Sequence, residues 1–283
     1  MPLSSQQTNQ SYYISDNKSI TFWIGGFTEE SGDETRKIKY IVRDHESNTW
    51  GIEEILFDLS AAPFSPFYSF LYTDFIFKRI NDNKIFIAVR PPGVGLNPNS
   101  AEKVIYTFGT ISGNSISFSE PKILLESDEI TAKGRSISAL VVNNDQDPED
   151  FVILFSFVYD TSFLIYKITE SQELPAISPD GLVFSPAGPF YTKLIKKDNL
   201  VLAMCTTTYI NNATFRGRKP VIKAYNYNTS SKILSETESG FFYIPNISIT
   251  ESDEPQNYLN IFFTGEDYNF MITSPDRNTS IPA

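Results

Sequence analysis

The chain is poor in the residues from which most catalytic and metal centres are built. It has one cysteine, Cys205, and one histidine, His45. A lone cysteine permits no internal disulfide, and a lone histidine rules out a histidine cluster for zinc or copper. A Ser-His-Asp or Cys-His arrangement would have to be built on the segment RDHES, 43 to 47, which reads as a charged turn leaving a strand. Cys205 sits inside the apolar run LVLAMCTTT with no cationic neighbour to lower its pKa, so it reads as a small core hydrophobe. Neither G-x-G-x-x-G nor a Walker-type phosphate loop occurs; GGF (25 to 27) and PPGVG (91 to 95) are turn chemistry. No cofactor is expected.

Positive charge is also scarce. Lys and Arg total 23 against 34 Asp and Glu, for a net charge of −11, and the basic residues form no run. That balance disfavours nucleic acid and anionic membranes, both of which reward clustered cations. The chain lacks a membrane-length apolar stretch, and its start, MPLSSQQTNQ, has neither a charged n-region nor an apolar h-region. The expectation is a cytoplasmic protein, or one secreted without a classical signal peptide. Six N-x-S/T triplets, at Asn9, Asn17, Asn212, Asn228, Asn246 and Asn278, mark exposed turns in a chain rich in Asn, Ser and Thr.

Helical periodicity is missing too: no stretch of 12 residues keeps a clean 3.6 period. What the chain has instead is a recurrence. A short polar turn runs straight into an apolar burst at DNKSITFWIGG (16 to 26), NDNKIFIAVRPPG (81 to 93), PEDFVILFSFVYD (148 to 160), KKDNLVLAMCTTT (196 to 208) and QNYLNIFFTGEDY (256 to 268). The bursts begin at Ile20, Ile85, Phe151, Leu200 and Leu259, with successive intervals of 65, 66, 49 and 59 residues. Recurrence on that scale signals stacked blades or solenoid units, and each interval has room for four strands of about 5 or 6 residues. The flanks supply them. A candidate strand precedes each later burst, at 67 to 80, 136 to 143, 190 to 196 and 242 to 250. A second run follows at IKYIVRD, KVIYTFGTI, SFLIYKIT and VIKAYNY. A third follows at GIEEILFDL (51 to 59), SISFSEPKILL (115 to 125) and DGLVF (180 to 184).

The fold expected is therefore all-β: one domain over 1 to 283, a propeller of five blades with four antiparallel strands each. A six-bladed ring and a β-sandwich pair are its competitors. The last burst is short of strands after it, and QQTNQSYYI (6 to 14) is expected to complete the last blade and close the ring.

Segment SPAGPFYTKLIKKDNLVLAMCTTT, 185 to 208, resembles in its rhythm the Glu-Gly-Pro, strand, turn, strand region of five-bladed glycosidases. Where those families carry the general acid before Gly-Pro, this chain has Ala187, and their early Asp-Pro-type motif is absent. The resemblance implies a propeller whose funnel presents two or three carboxylates, one to protonate the leaving oxygen and one to activate water or attack the sugar. Asp74, Asp160 and Glu266 (beside Asp267) are the residues available for such a hydrolase, and each also reads as a turn or strand-end residue.

In a four-stranded blade, the connection from the second to the third strand shares a face with the connection to the next blade. Here the first set includes the long segments 25 to 36, 90 to 102 and 206 to 219 and the second 60 to 67, 126 to 136 and 185 to 190, and long loops are where function concentrates. Aromatic and guanidinium groups are interspersed in them: Phe27, Arg90, Arg135, Tyr209, Phe215, Arg216 and Arg218. A ring beside planar donors is a generic grip on a sugar. The bursts do not repeat such a set, since Trp23 aligns with Ala88, Leu154, Ala203 and Phe262. Trp23 and Trp50 are expected to pack between blades. The function expected is a non-catalytic, lectin-like propeller binding a glycan or glycoconjugate, with a hydrolase as the first alternative. The second is a scaffold whose acidic surface meets a basic protein.

Overall fold

The computed structural model describes residues 10–24, 37–58, 74–90, 104–124, 137–144, 147–159, 162–171, 173–175, 192–206, 210–211, 216–217 and 220–243. Among them the chain is all-β. The first sheet holds β1 (Gln10–Ser15), β2 (Lys18–Ile24), β3 (Lys37–Asp44), β4 (Thr49–Trp50) and β5 (Glu54–Asp58). The second holds β6 (Asp74–Arg79), β7 (Lys84–Arg90), β8 (Val104–Ser112), β9 (Ser115–Phe118) and β10 (Lys122–Leu124). The third is β11 (Ile137–Asn144), β12 (Asp147–Tyr159), β13 (Ser162–Ile168) and β14 (Glu173–Pro175). A two-residue pairing of β17 (Ile210–Asn211) with β18 (Arg216–Gly217) lies within the connection of the fourth sheet, which is β15 (Thr192–Lys197), β16 (Leu200–Thr206), β19 (Pro220–Asn228) and β20 (Ile233–Tyr243).

Each sheet is an antiparallel meander in chain order, the blade unit of a β-propeller. In the first two the fourth strand is split in two pieces, β4 with β5 and β9 with β10. The first four apolar bursts are the second strands β2, β7, β12 and β16; the fifth, at Leu259, lies outside the described residues, as does DGLVF. The third sheet takes its fourth strand from Glu173–Pro175, ahead of that run.

Two sequence expectations are corrected here. The described part of the N-terminal segment, Gln10–Ser15, does not close the last repeat: it forms a hairpin with Lys18–Ile24, Gln10 opposite Phe22 and Tyr12 opposite Ile20. That register puts Ile14 and Tyr12 against the core of the first two sheets, so the strand is consumed locally. Trp50 is not packed between sheets either; it stands 55% exposed on β4. Asn17 lies in an exposed turn and Asn228 is exposed at the end of β19, just ahead of one.

The chain divides into two compact units, Met1–Ala132 with Asn143–Phe151, and Lys133–Val142 with Val152–Ala283. In the first unit, Ile20, Phe22, Tyr40 and Val42 of the first sheet pack with Ile85, Ile87, Val89 and Ile105 of the second. The opposite face of the second sheet is buried as well, through Phe86, Ala88, Tyr106 and Phe108, with the Phe151 ring 5.9 Å from that of Phe108. In the second unit, Val152 and Leu154 of β12 pack with Leu194, Val201, Ala203, Tyr225 and Tyr227. Leu202, Met204, Ile222 and Ala224 form a core on the other face of the fourth sheet. A strand buried on both faces needs apolar residues at every position, which is why FVILF and LVLAM read as unbroken bursts.

First strands of successive sheets meet. Tyr12 of β1 stacks on Phe77 of β6 at 4.4 Å between centroids. Asn143 Nδ2 of β11 donates to the Ile80 carbonyl just after β6, at 2.9 Å. Farther on, the Leu194 N–H of β15 donates to Ser138 Oγ of β11 at 3.2 Å.

Candidate functional site

In a four-stranded meander the entry to the first strand, the second-to-third connection and the exit from the fourth all lie at one end. The strand order places Ile24 and Lys37, Arg90 and Val104, and Thr206 and Pro220, which flank the long connections of the first, second and fourth sheets, at that end.

At this end of the second unit's core the side chains change character. Alternate residues of a strand share a face. Moving toward the loop-bearing end, β11 runs Val142, Leu140, Ser138; β12 runs Val152, Leu154, Ser156; β15 runs Leu194, Thr192; and β19 runs Tyr227, Tyr225, Lys223. All four terminal members are buried. Ser156 and Thr192 share a hydroxyl–hydroxyl hydrogen bond of 2.6 Å across the two sheets, and Ser138 receives the Leu194 N–H. The Lys223 ammonium lies 5.5 Å from the centre of the Tyr225 ring, where the π face offsets part of the cost of its burial. Cys205 takes the backbone position opposite Thr192 on β16.

A core built for packing alone would continue in Val and Leu, because each buried hydroxyl must find a partner. The hydroxyls toward this end of the strands join the third sheet to the fourth by directional bonds. The sequence reading missed Ser138, Ser156, Thr192 and Lys223. Their signal was present: the period-two series V-x-L-x-S-x-V in β12 and S-x-L-x-V in β11 each place a hydroxyl toward the same end of successive strands.

In the first unit, two residues assigned to rival functions prove to be cross-strand neighbours. Asp74 opens β6 and Arg90 closes β7, and they are directly opposite in the register, at the end from which segment 91 to 103 leaves. Arg216 pairs with Asn211 in the β17–β18 ladder inside the connection between β16 and β19. Phe27, Arg135, Tyr209, Phe215, Arg218, Asp160 and Glu266 lie outside the described residues. His45 is exposed where β3 ends, its Nε2 2.9 Å from Ser19 Oγ. Among the described residues, no three Asp, Glu, His or Cys side chains form a group that could hold a metal ion, and no helix is long and apolar enough to cross a membrane.

No family model matches the chain, and no curated protein does. Among solved structures it is similar to that of Bacteroides ovatus Xyloglucan PUL GH43B, with a TM-score of 0.38 and 11% identity over 88% of this chain and 47% of that one. The chain thus spans about half the length of that structure.

Proposed function

We propose that the chain is a non-catalytic, lectin-like propeller, a single domain over 1 to 283, that holds a glycan at the loop-bearing ends of its sheets. The observation that carries this reading is the change from aliphatic to hydroxyl and ammonium side chains at that end, at Ser138, Ser156, Thr192 and Lys223. Of these groups Lys223 lies on β19, the strand that the connection bearing Tyr209, Phe215, Arg216 and Arg218 enters, while Ser138, Ser156 and Thr192 tie the neighbouring strands β11, β12 and β15 together. Phe27, Tyr209 and Phe215 supply ring faces for the axial hydrogens of a sugar, and Arg90, Arg135, Arg216 and Arg218 supply donors for its hydroxyls.

The test is a glycan array run beside a panel of chromogenic glycosides. Saturable glycan binding without turnover is expected, weakened by Arg216→Ala and Phe215→Ala. Turnover abolished by Asp74→Asn, Asp160→Asn or Glu266→Gln would overturn the reading in favour of a hydrolase. A basic protein that co-purifies with a chain showing neither binding nor turnover would overturn it in favour of a scaffold.

A further inference from the structure

Charge is shared unevenly among the long connections that link second strands to third. Segment 25 to 36, after β2, carries Glu29, Glu30, Asp33 and Glu34 against Arg36 alone. Segment 91 to 103, after β7, holds one charge of each sign, Glu102 and Lys103. Segment 207 to 219, after β16, reverses the first: it has Arg216, Arg218 and Lys219 and no acid. The acid-free stretch runs on from Asn199 to Ser235, in a chain whose net charge is −11. A surface kept soluble by charge mixes the two signs. Cations gathered without acids create a local positive potential instead.

Backbone pairing orders part of this connection. Its two ends are joined, since Thr206 at the close of β16 is opposite Pro220 at the start of β19. Inside it Ile210 pairs with Gly217 and Asn211 with Arg216, so the register makes an amide residue the neighbour of the first guanidinium. Arg218 and Lys219 follow in the sequence, and TTTYINN ahead of them is rich in hydroxyl and amide groups. A guanidinium offers two parallel N–H groups in a plane, the match for the two oxygens of a carboxylate or a sulfate. A neutral sugar needs no such charge, because Asn, Ser or Tyr serve its hydroxyls without the cost of desolvating a cation. An acidic protein would meet the whole negative chain on a broad front. A sugar unit feels chiefly the charges within a Debye length, about 8 Å at physiological salt.

We propose that the connection between β16 and β19 recognises an anion, and that the glycan bound by this chain carries a carboxylate or a sulfate ester. Arg216 and Arg218 clasp the anionic group, Lys219 adds a point charge, and the hydroxyl and amide residues ahead of them take the neighbouring sugar hydroxyls. This rests on the lectin reading and narrows it, from a glycan of any kind to an acidic one.

The experiment is a glycan array of matched pairs read with the full chain: uronic acid oligosaccharides beside their methyl esters, and sulfated oligosaccharides beside their desulfated forms. The first pair reports on a carboxylate and the second on a sulfate. At least one anionic member is expected to bind roughly tenfold or more tighter than its neutral partner, equivalent to about 1.4 kcal/mol, with the preference shrinking as salt is raised. Arg216→Ala and Arg218→Ala should each remove most of that preference at an unchanged melting temperature. Arg216→Lys, which keeps the charge but not the paired donors, should restore part of it. Equal binding of acid and ester and of sulfated and desulfated forms overturns the proposal and leaves the lectin reading standing. So does a preference that both alanine variants retain, or a fall in melting temperature for them with the preference intact, which would assign these cations to ion pairs within the chain. Binding of no glycan, charged or neutral, overturns both readings, and capture of an acidic protein in its place has the same force.

Discussion

Replacing Gly109 with alanine tests the packing between the first two sheets. Gly109 lies in β8 opposite Ile85 of β7 and Phe118 of β9. A Cβ built there would meet Ile85 Cγ1 and Phe118 Cε1 at 2.8 Å and Ile116 Cγ2 at 3.0 Å. Carbon atoms prefer separations of about 3.5–4.0 Å, so three side chains must each recede by roughly 0.5–1 Å. Ile85 and Ile116 are buried and β-branched, with little rotamer freedom to give. Phe118 meets Tyr40 edge-on at 5.2 Å, and the Tyr40 hydroxyl donates to Glu54 at 2.6 Å, so displacement there spreads into the first sheet. Overpacking of this kind costs about 1–3 kcal/mol, or roughly 2–12 °C in melting temperature at about 2–4 °C per kcal/mol. Both tryptophans, Trp23 and Trp50, are in the first sheet, so tryptophan fluorescence under denaturant reports on this unit. Removing Phe118 Cε1 with Phe118→Leu should recover part of the loss, a coupling of about 0.5–3 kcal/mol. A Gly109→Ala chain within about 0.5 kcal/mol of the parent, or additivity in the double variant, would refute the packing described.

Gly113 offers the opposite case: its φ is +59° and a Cβ would meet nothing within 4 Å. Gly113→Asn should therefore be far milder than Gly113→Val in thermal melts, because asparagine tolerates the left-handed region and a β-branched residue does not. Ser138→Ala strips the acceptor from the buried Leu194 N–H and should cost about 1–3 kcal/mol by denaturant titration, where a loss below about 0.5 kcal/mol would sink the bridging role. Glu149 is held below the usual carboxylate range chiefly by its bond to Lys84, and Asp44 by the Ser47 N–H. Since both folded values lie below the unfolded ones, their stabilisation is present above the ordinary carboxylate pKa of about 4 and is lost as pH falls through the depressed values. The pair Asp44→Asn and Glu149→Gln keeps the acceptor oxygens and should flatten the decline in melting temperature on acidification; an unchanged slope would count against this assignment.

The repeat was legible because it rests on a local rule: a strand buried on both faces cannot alternate, so it stands out as a burst behind a polar turn. The second strands at Ile85, Phe151 and Leu200 were found for that reason, whereas the strand at Ile20 alternates, with Ile20 and Phe22 buried and Thr21 and Trp23 half-buried, and was found by the polar turn ahead of it. The pairing of Gln10–Ser15 was not, although Asp16 and Asn17 form a tight turn between two apolar-polar series. Closure of a ring is a global requirement, and the two-residue hairpin is a local one that the chain meets first. Trp50 was misread because a large aromatic is usually interior, while its exposure depends on the cross-strand partner Arg43, seven residues away in sequence and invisible to any pattern along one strand.

The polar layer in the second unit is built from ordinary residues. Serine and threonine at 138, 156 and 192 are unremarkable singly, and Lys223 sits in a strand of mixed character. Their meaning comes from coincidence at one end of neighbouring strands, where every buried hydroxyl adds a desolvation cost unless it is partnered. The Ser156–Thr192 bond and the Ser138–Leu194 bond each join the third sheet to the fourth, so the cost is offset by contacts that also set the spacing of the strand ends. Apolar side chains of equal volume would fill the same space but leave that spacing free to slide, since dispersion contacts have little directional preference. Binding residues on a long connection gain from the opposite property. Their geometry toward a ligand is only as fixed as the strands that carry them. Directional bonds between the sheets that carry the connections, above an aliphatic core that supplies the stability, are the arrangement expected of a rigid scaffold presenting loops for recognition.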